Sequence, residues 1–76
     1  MKNPGQEALL LKLGQRIRKL REKQGLTQEA MNEGIDPPSV TAVQQAEYGN
    51  KDLRVSTLLK IANRLNVRMK DLFDFE

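Results

Sequence analysis

Apolar residues recur along this chain at helical spacing. Leu9, Leu10, Leu13, Ile17 and Leu20 fall three or four positions apart, with charged residues between them, which predicts an amphipathic helix over 7–24. Gly25 is its stop. Thr27 is placed to cap a second, short helix with Gln28 and Glu29 in its first turn, ending at Gly34. Asp36-Pro37-Pro38 cannot continue a helix. Ser39 then caps a third helix running to Tyr48, with Gly49 in the left-handed region after it. Asn50–Arg54 reads as a polar loop. A fourth helix starts near Val55, with Leu58, Leu59, Ile61, Ala62 and Leu65 on its apolar face and Asn66 at its end. Val67–Phe73 forms a fifth, offering Met69, Leu72 and Phe73 to the core. With no two-residue alternation anywhere, the expected class is all-α: five short helices in one domain over 7–76, preceded by a flexible lead over 1–6.

The 76 residues allow one small core, so nearly every apolar position is needed for packing. The chain has neither Cys nor His. That removes disulfides, thiolate zinc sites and histidine-based acid–base catalysis. The acids are dispersed and no glycine-rich phosphate loop is present, so neither an enzyme nor a cofactor is expected. No apolar run approaches the roughly 18 residues that span a membrane. No signal-peptide pattern opens the chain, and the expectation is a cytoplasmic protein without a membrane or small-molecule partner.

Charge is segregated. Net charge is +3 overall, but residues 1–25 carry +5, residues 26–49 carry −4 with no Lys or Arg, and residues 50–76 carry +2. A polyanion partner would be attracted by the segments flanking 26–49 and not by that stretch itself. Yet 26–49 holds the two short helices crossing at a turn, the unit that places a helix in the DNA major groove.

Five stretches resemble, in order, the phage-repressor/Cro-type (XRE-like) helix-turn-helix family. They are Arg16-Ile17-Arg18-Lys19-Leu20-Arg21; Gly25-Leu26-Thr27-Gln28-Glu29; Glu47-Tyr48-Gly49; Thr57-Leu58-Leu59-Lys60-Ile61-Ala62 with Leu65-Asn66-Val67; and Asp71-Leu72-Phe73. The resemblance implies a compact five-helix bundle of the lambda-repressor-like type. It implies a sequence-specific regulator of transcription that binds double-stranded DNA as a homodimer and inserts the third helix, about 39–48, in the major groove. At matching positions it implies a phosphate contact for Gln28, readout by Ser39, Val40, Thr41, Gln44 and Gln45, and backbone contacts by Asn50, Lys51 and Arg54. It implies that Arg21 and Glu47 form an internal salt bridge.

The chain also departs from that pattern. The stretch between the second and third helices is one residue longer, Asn32 stands where a small residue is usual, the turn glycine is displaced to Gly34, and two prolines follow. Ala46 replaces a branched apolar residue and should thin the core. Tyr48 replaces a commonly basic one. Val40 either touches the groove or packs on Pro37 or Pro38. The basic run Lys12–Lys23 is either a solvated helix face or a flank to DNA. With no cation in 26–49, phosphate attraction falls to Arg16, Arg18, Lys51 and Arg54. The exposed faces of the first and fifth helices, with Phe73 and Phe75, are candidate dimer contacts. The alternative function is a protein-binding adaptor or antitoxin-like module on the same fold.

Overall fold

The computed structural model describes residues 4–50 and 53–75. It contains three α-helices, α1 (Pro4–Lys23), α2 (Val40–Glu47) and α3 (Val55–Leu65), and two short 3-10 helices, Ala30–Asn32 and Met69–Phe73. All regular structure among the described residues is helical. The expected five α-helices are corrected on two counts. The second and fifth are 3-10 turns, because neither Gly25–Gly34 nor Asn66–Phe73 leaves room for enough consecutive helical bonds to repay nucleation. The first helix also starts earlier than expected, taking in residues 4–6 of the supposed lead. Proline is tolerated in a first helical turn, where its missing N–H would have had no partner.

All three α-helices close in the same way. After α1, Leu26 N–H donates to Arg21 O (3.1 Å) and Gly25 N–H to Glu22 O (2.9 Å). After α2, Asn50 N–H donates to Gln45 O (3.0 Å) and Gly49 N–H to Ala46 O (3.2 Å). After α3 the pattern is Val67 N–H to Ala62 O and Asn66 N–H to Asn63 O, with Asn66 at φ 58°. Each satisfies the last carbonyls of its helix through one left-handed residue, which is why Gly or Asn stands at that position.

The core is Leu13 and Ile17 of α1, Met31 of the first 3-10 helix, Val43 and Ala46 of α2, Leu58, Ile61, Ala62 and Leu65 of α3, and Leu72 of the second 3-10 helix. Leu20, Leu26, Leu53, Val67, Met69 and Phe75 pack around it. Three residues expected inside lie largely outside: Leu9, Leu59 and Phe73 are each more than two-fifths exposed. They sit at the margins of their apolar stripes, where a short helix has nothing further to pack against. Phe75, offered by the sequence as a dimer contact, packs against this chain's own core.

Side chains replace the bonds that the abbreviated elements lack. The Arg64 guanidinium donates twice to Ala30 O (2.8 and 3.2 Å), tying the first 3-10 turn to α3. Gln24 Nε2 donates to Leu65 O (2.7 Å), joining the ends of α1 and α3. Arg16 Nε donates to Asp71 O (2.9 Å), holding the last turn on α1. No buried side-chain nitrogen or oxygen among the described residues lacks a partner, as a small marginal core requires.

Candidate nucleic-acid interface

Local sequence sets the position of α2. Ser39 is extended (φ −72°, ψ 157°) and its Oγ accepts from Ala42 N–H at 3.0 Å, capping the helix start. Between Met31 and Ser39 the chain turns through two positive-φ positions, Gly34 (φ 104°) and Asp36 (φ 50°). Asn32 Nδ2 donates across this turn to Pro38 O at 3.0 Å. Pro38 is wholly buried, so the second proline is a packing residue as well as a helix breaker. Thr27 does cap its turn, its Oγ1 accepting from Ala30 N–H at 3.0 Å.

Along α2, Val43 and Ala46 face the core while Thr41, Gln44, Gln45 and Tyr48 are exposed. Those four stand at i, i+3, i+4 and i+7 and therefore share one outward face. Ser39 is exposed at its start and Val40 is half-buried. Asn50 lies in the closing turn, its backbone bonded to Gln45. Arg54 is exposed just before α3, with no ion pair among the described residues. Lys51 lies outside the described residues.

Behind this face stands a charged clamp. Glu47 accepts from Arg21 Nε at 2.7 Å and Nη2 at 3.1 Å, and from Gln28 Nε2 at 3.2 Å. Arg21 Nη1 also donates to Leu26 O at 2.7 Å. The hydrogen-bonded Glu47 carboxylate holds the Arg21 guanidinium even more firmly protonated than an ordinary arginine, against the opposing effect of burial. The end of α1, the Thr27–Glu29 turn and the end of α2 are thereby fixed to one another.

The resemblance implies a phosphate contact for Gln28, to which the start of a helix at this point would add its own N–H groups. The three-residue 3-10 helix that forms here offers no aligned helix terminus. The Gln28 amide remains. One of its two N–H groups is committed to Glu47, and the second can still donate outward. The cations invoked for phosphate attraction are reduced as well. Arg16 is engaged by Asp71 O and lies 3.9 Å from the Asp74 carboxylate, and Arg18 pairs with Glu22 at 3.3 Å.

Gly14 is the residue that sequence reasoning missed. A Cβ there would lie 2.6 Å from both Ala46 O and Glu47 O. The α1 backbone rests directly on the last turn of α2, and the small Ala46 is part of that fit. Ala46 is itself buried at this contact. The available signal was a glycine inside an otherwise regular amphipathic helix, where its propensity is poor without a packing reason.

A capped helix with a polar outer face, seated on the preceding turn and clamped from behind, is the arrangement of a helix-turn-helix domain. A family model described as helix-turn-helix matches residues 17–72, and the chain belongs to this XRE-type family of DNA-binding transcriptional regulators. No curated protein and no solved structure matches the chain significantly. The family is typically without enzymatic activity. Among the described residues no cluster of acids could hold a metal ion, and no helix is long and apolar enough to cross a membrane.

Proposed function

We propose that this protein is a sequence-specific regulator that reads duplex DNA by inserting α2 into the major groove. The observation that carries the reading is the outward face of Thr41, Gln44 and Gln45, neutral and exposed, on a helix fixed at both ends. Glutamine can bond adenine bidentately through N6 and N7, and a threonine methyl can meet a thymine methyl. A·T-containing half-sites are therefore favoured. Ser39 and Val40 stand at the leading end of the helix, while Gln28, Asn50, Lys51 and Arg54 serve the phosphate backbone. A homodimer presenting two copies of α2 would read half-sites one helical turn apart, and occupancy of the site would block or recruit polymerase without catalysis.

Selection from randomised duplex DNA tests this. The expected result is an enriched A·T-containing motif, repeated at a spacing of one helical turn. A G·C-only optimum would remove the glutamine readout, and no enrichment would remove sequence specificity altogether.

A second reading, a protein-binding adaptor or antitoxin-like module, is supported by the absence of any Lys or Arg in 26–49 and by Tyr48 standing 82% exposed on the same face. Titration against generic duplex at low salt separates the two readings, because phosphate attraction accompanies DNA binding of any sequence.

A further inference from the structure

The three lysines of α1 lie on one side of it. Lys12, Lys19 and Lys23 are all exposed. Each stands two positions from a residue turned toward α2 or the core: Gly14, Ile17 or Arg21. Two residues rotate an α-helix by about 200°, so the three ammonium groups line the side of α1 that faces away from α2. None forms an ion pair among the described residues. Glu22, the acid next to Lys23, is turned to Arg18. Beside the row runs a shallow groove between α1 and the C-terminal segment, lined by Lys12, Gln15, Arg16, Lys19, Asp74 and Phe75.

Three like charges on one face repel one another, and a polyanion laid along them relieves that repulsion. The row from Lys12 to Lys23 extends about 16 Å at the helical rise. A duplex carries one negative charge per about 1.7 Å of its axis, so a row of this length meets several phosphates in any register. Lysine suits such a repeating field. Its ammonium is a point charge without the planar fork by which arginine matches a single carboxylate. A duplex engaged by the outward face of α2 lies on the other side of the molecule. DNA is stiff over about 150 base pairs, so a short duplex cannot reach round to this row.

We propose that the Lys12–Lys19–Lys23 face is a second, sequence-independent contact for duplex DNA, allowing one chain to hold one segment by α2 and another by α1. The proposal rests on the reading that α2 engages DNA.

The test is a bridging experiment with the full chain. A short duplex recovered by selection is immobilised, protein is bound, and a labelled duplex of unrelated sequence is added. Wild-type protein should retain the labelled duplex, with retention falling steeply as salt is raised. The triple variant Lys12→Gln/Lys19→Gln/Lys23→Gln should cut that retention by about tenfold or more while leaving affinity for the immobilised duplex within about twofold. A circular-dichroism melt confirms that the variant is folded. Retention undiminished in the triple variant would assign bridging to a pair of α2 helices and overturn the proposal. Loss of binding to both duplexes would place the lysines at the first contact and overturn it equally. So would capture of an acidic polypeptide such as polyglutamate with no second duplex held. The variant Gln44→Ala/Gln45→Ala separates the two readings: it should lose preference for the selected sequence yet keep lysine-dependent retention. Failure to select any sequence removes sequence readout by α2; the bridging assay then uses a generic immobilised duplex, and lysine-dependent retention of the second duplex still decides the proposal.

Discussion

Arg21 and Glu47 meet in a two-pronged salt bridge, Nε to Oε2 at 2.7 Å and Nη2 to Oε1 at 3.1 Å, with side chains 11% and 6% exposed. Removing either partner strands more than one group, because the guanidinium also serves Leu26 O and the carboxylate also serves Gln28. Glu47→Ala is expected to cost about 2–4 kcal/mol, from a total of about 5–10 kcal/mol for a domain of this size. Urea unfolding checks it, as a lower midpoint with unchanged slope. The sign for pH follows from the raised Arg21 pKa. A group whose folded pKa is raised contributes fully below its unfolded pKa and loses that contribution only as pH rises through the folded value. That window lies above the ordinary arginine range, so titrating Arg21 should cause no loss of stability from neutral to mildly alkaline pH.

Gly14 gives a prediction whose sign separates packing from propensity. Replacing glycine by alanine inside a helix ordinarily stabilises by about 0.5–1 kcal/mol. Here the new methyl would sit 2.6 Å from two backbone carbonyls of α2, and neither can swing aside as a side chain would. Gly14→Ala should instead destabilise by about 1–3 kcal/mol through overpacking. A thermal melt that moves upward would show that α1 and α2 are not in such close contact.

What the sequence made legible here was largely local. Ser39, Gly25, Gly49 and Asn66 do at helix ends what their chemistry predicts, and the apolar spacing on α1 and α3 marks most of the core. The XRE-like motifs pointed to the family. Three things stayed hidden because they depend on the distance between elements. One is the role of Gly14, visible only once α2 lies against it. Another is the 3-10 character of the second element, whose anchor to α3 comes from Arg64, far along the chain. The third is the division of labour among the cations. Arg16 and Lys19 look alike in a charge count, yet one is bonded to Asp71 and the other stands in solvent.

Asn32 bridges the turn before α2, and its removal should affect recognition more than folding. Its amide spans to Pro38 O at 3.0 Å, directly before the Ser39 cap. Asn32→Ala removes one hydrogen bond at a partly exposed site, worth about 1 kcal/mol. The entry angle of α2 would lose its crosslink. The expected outcome is a small fall in melting temperature with a larger fall in the ratio of selected-site to random-site affinity. An unchanged ratio would show that Pro38 packing alone orients α2.

Gln45 and Arg54 should fail in different ways. Gln45 is on the outward face of α2, whereas Arg54 is exposed beyond the helix, next to α3. If the first reads a base edge, Gln45→Ala should relax preference at one position of the site, by about 1–3 kcal/mol, with little change on random DNA. If the second meets a phosphate, Arg54→Ala should weaken binding about equally on every sequence. It should also flatten the plot of log affinity against log salt by about one unit. Affinities of both variants for selected and random duplexes, measured across a salt series, decide the matter. Equal losses at every site with equal slopes would mean that neither residue has the role given to it, and that the outward face of α2 is not the reading surface.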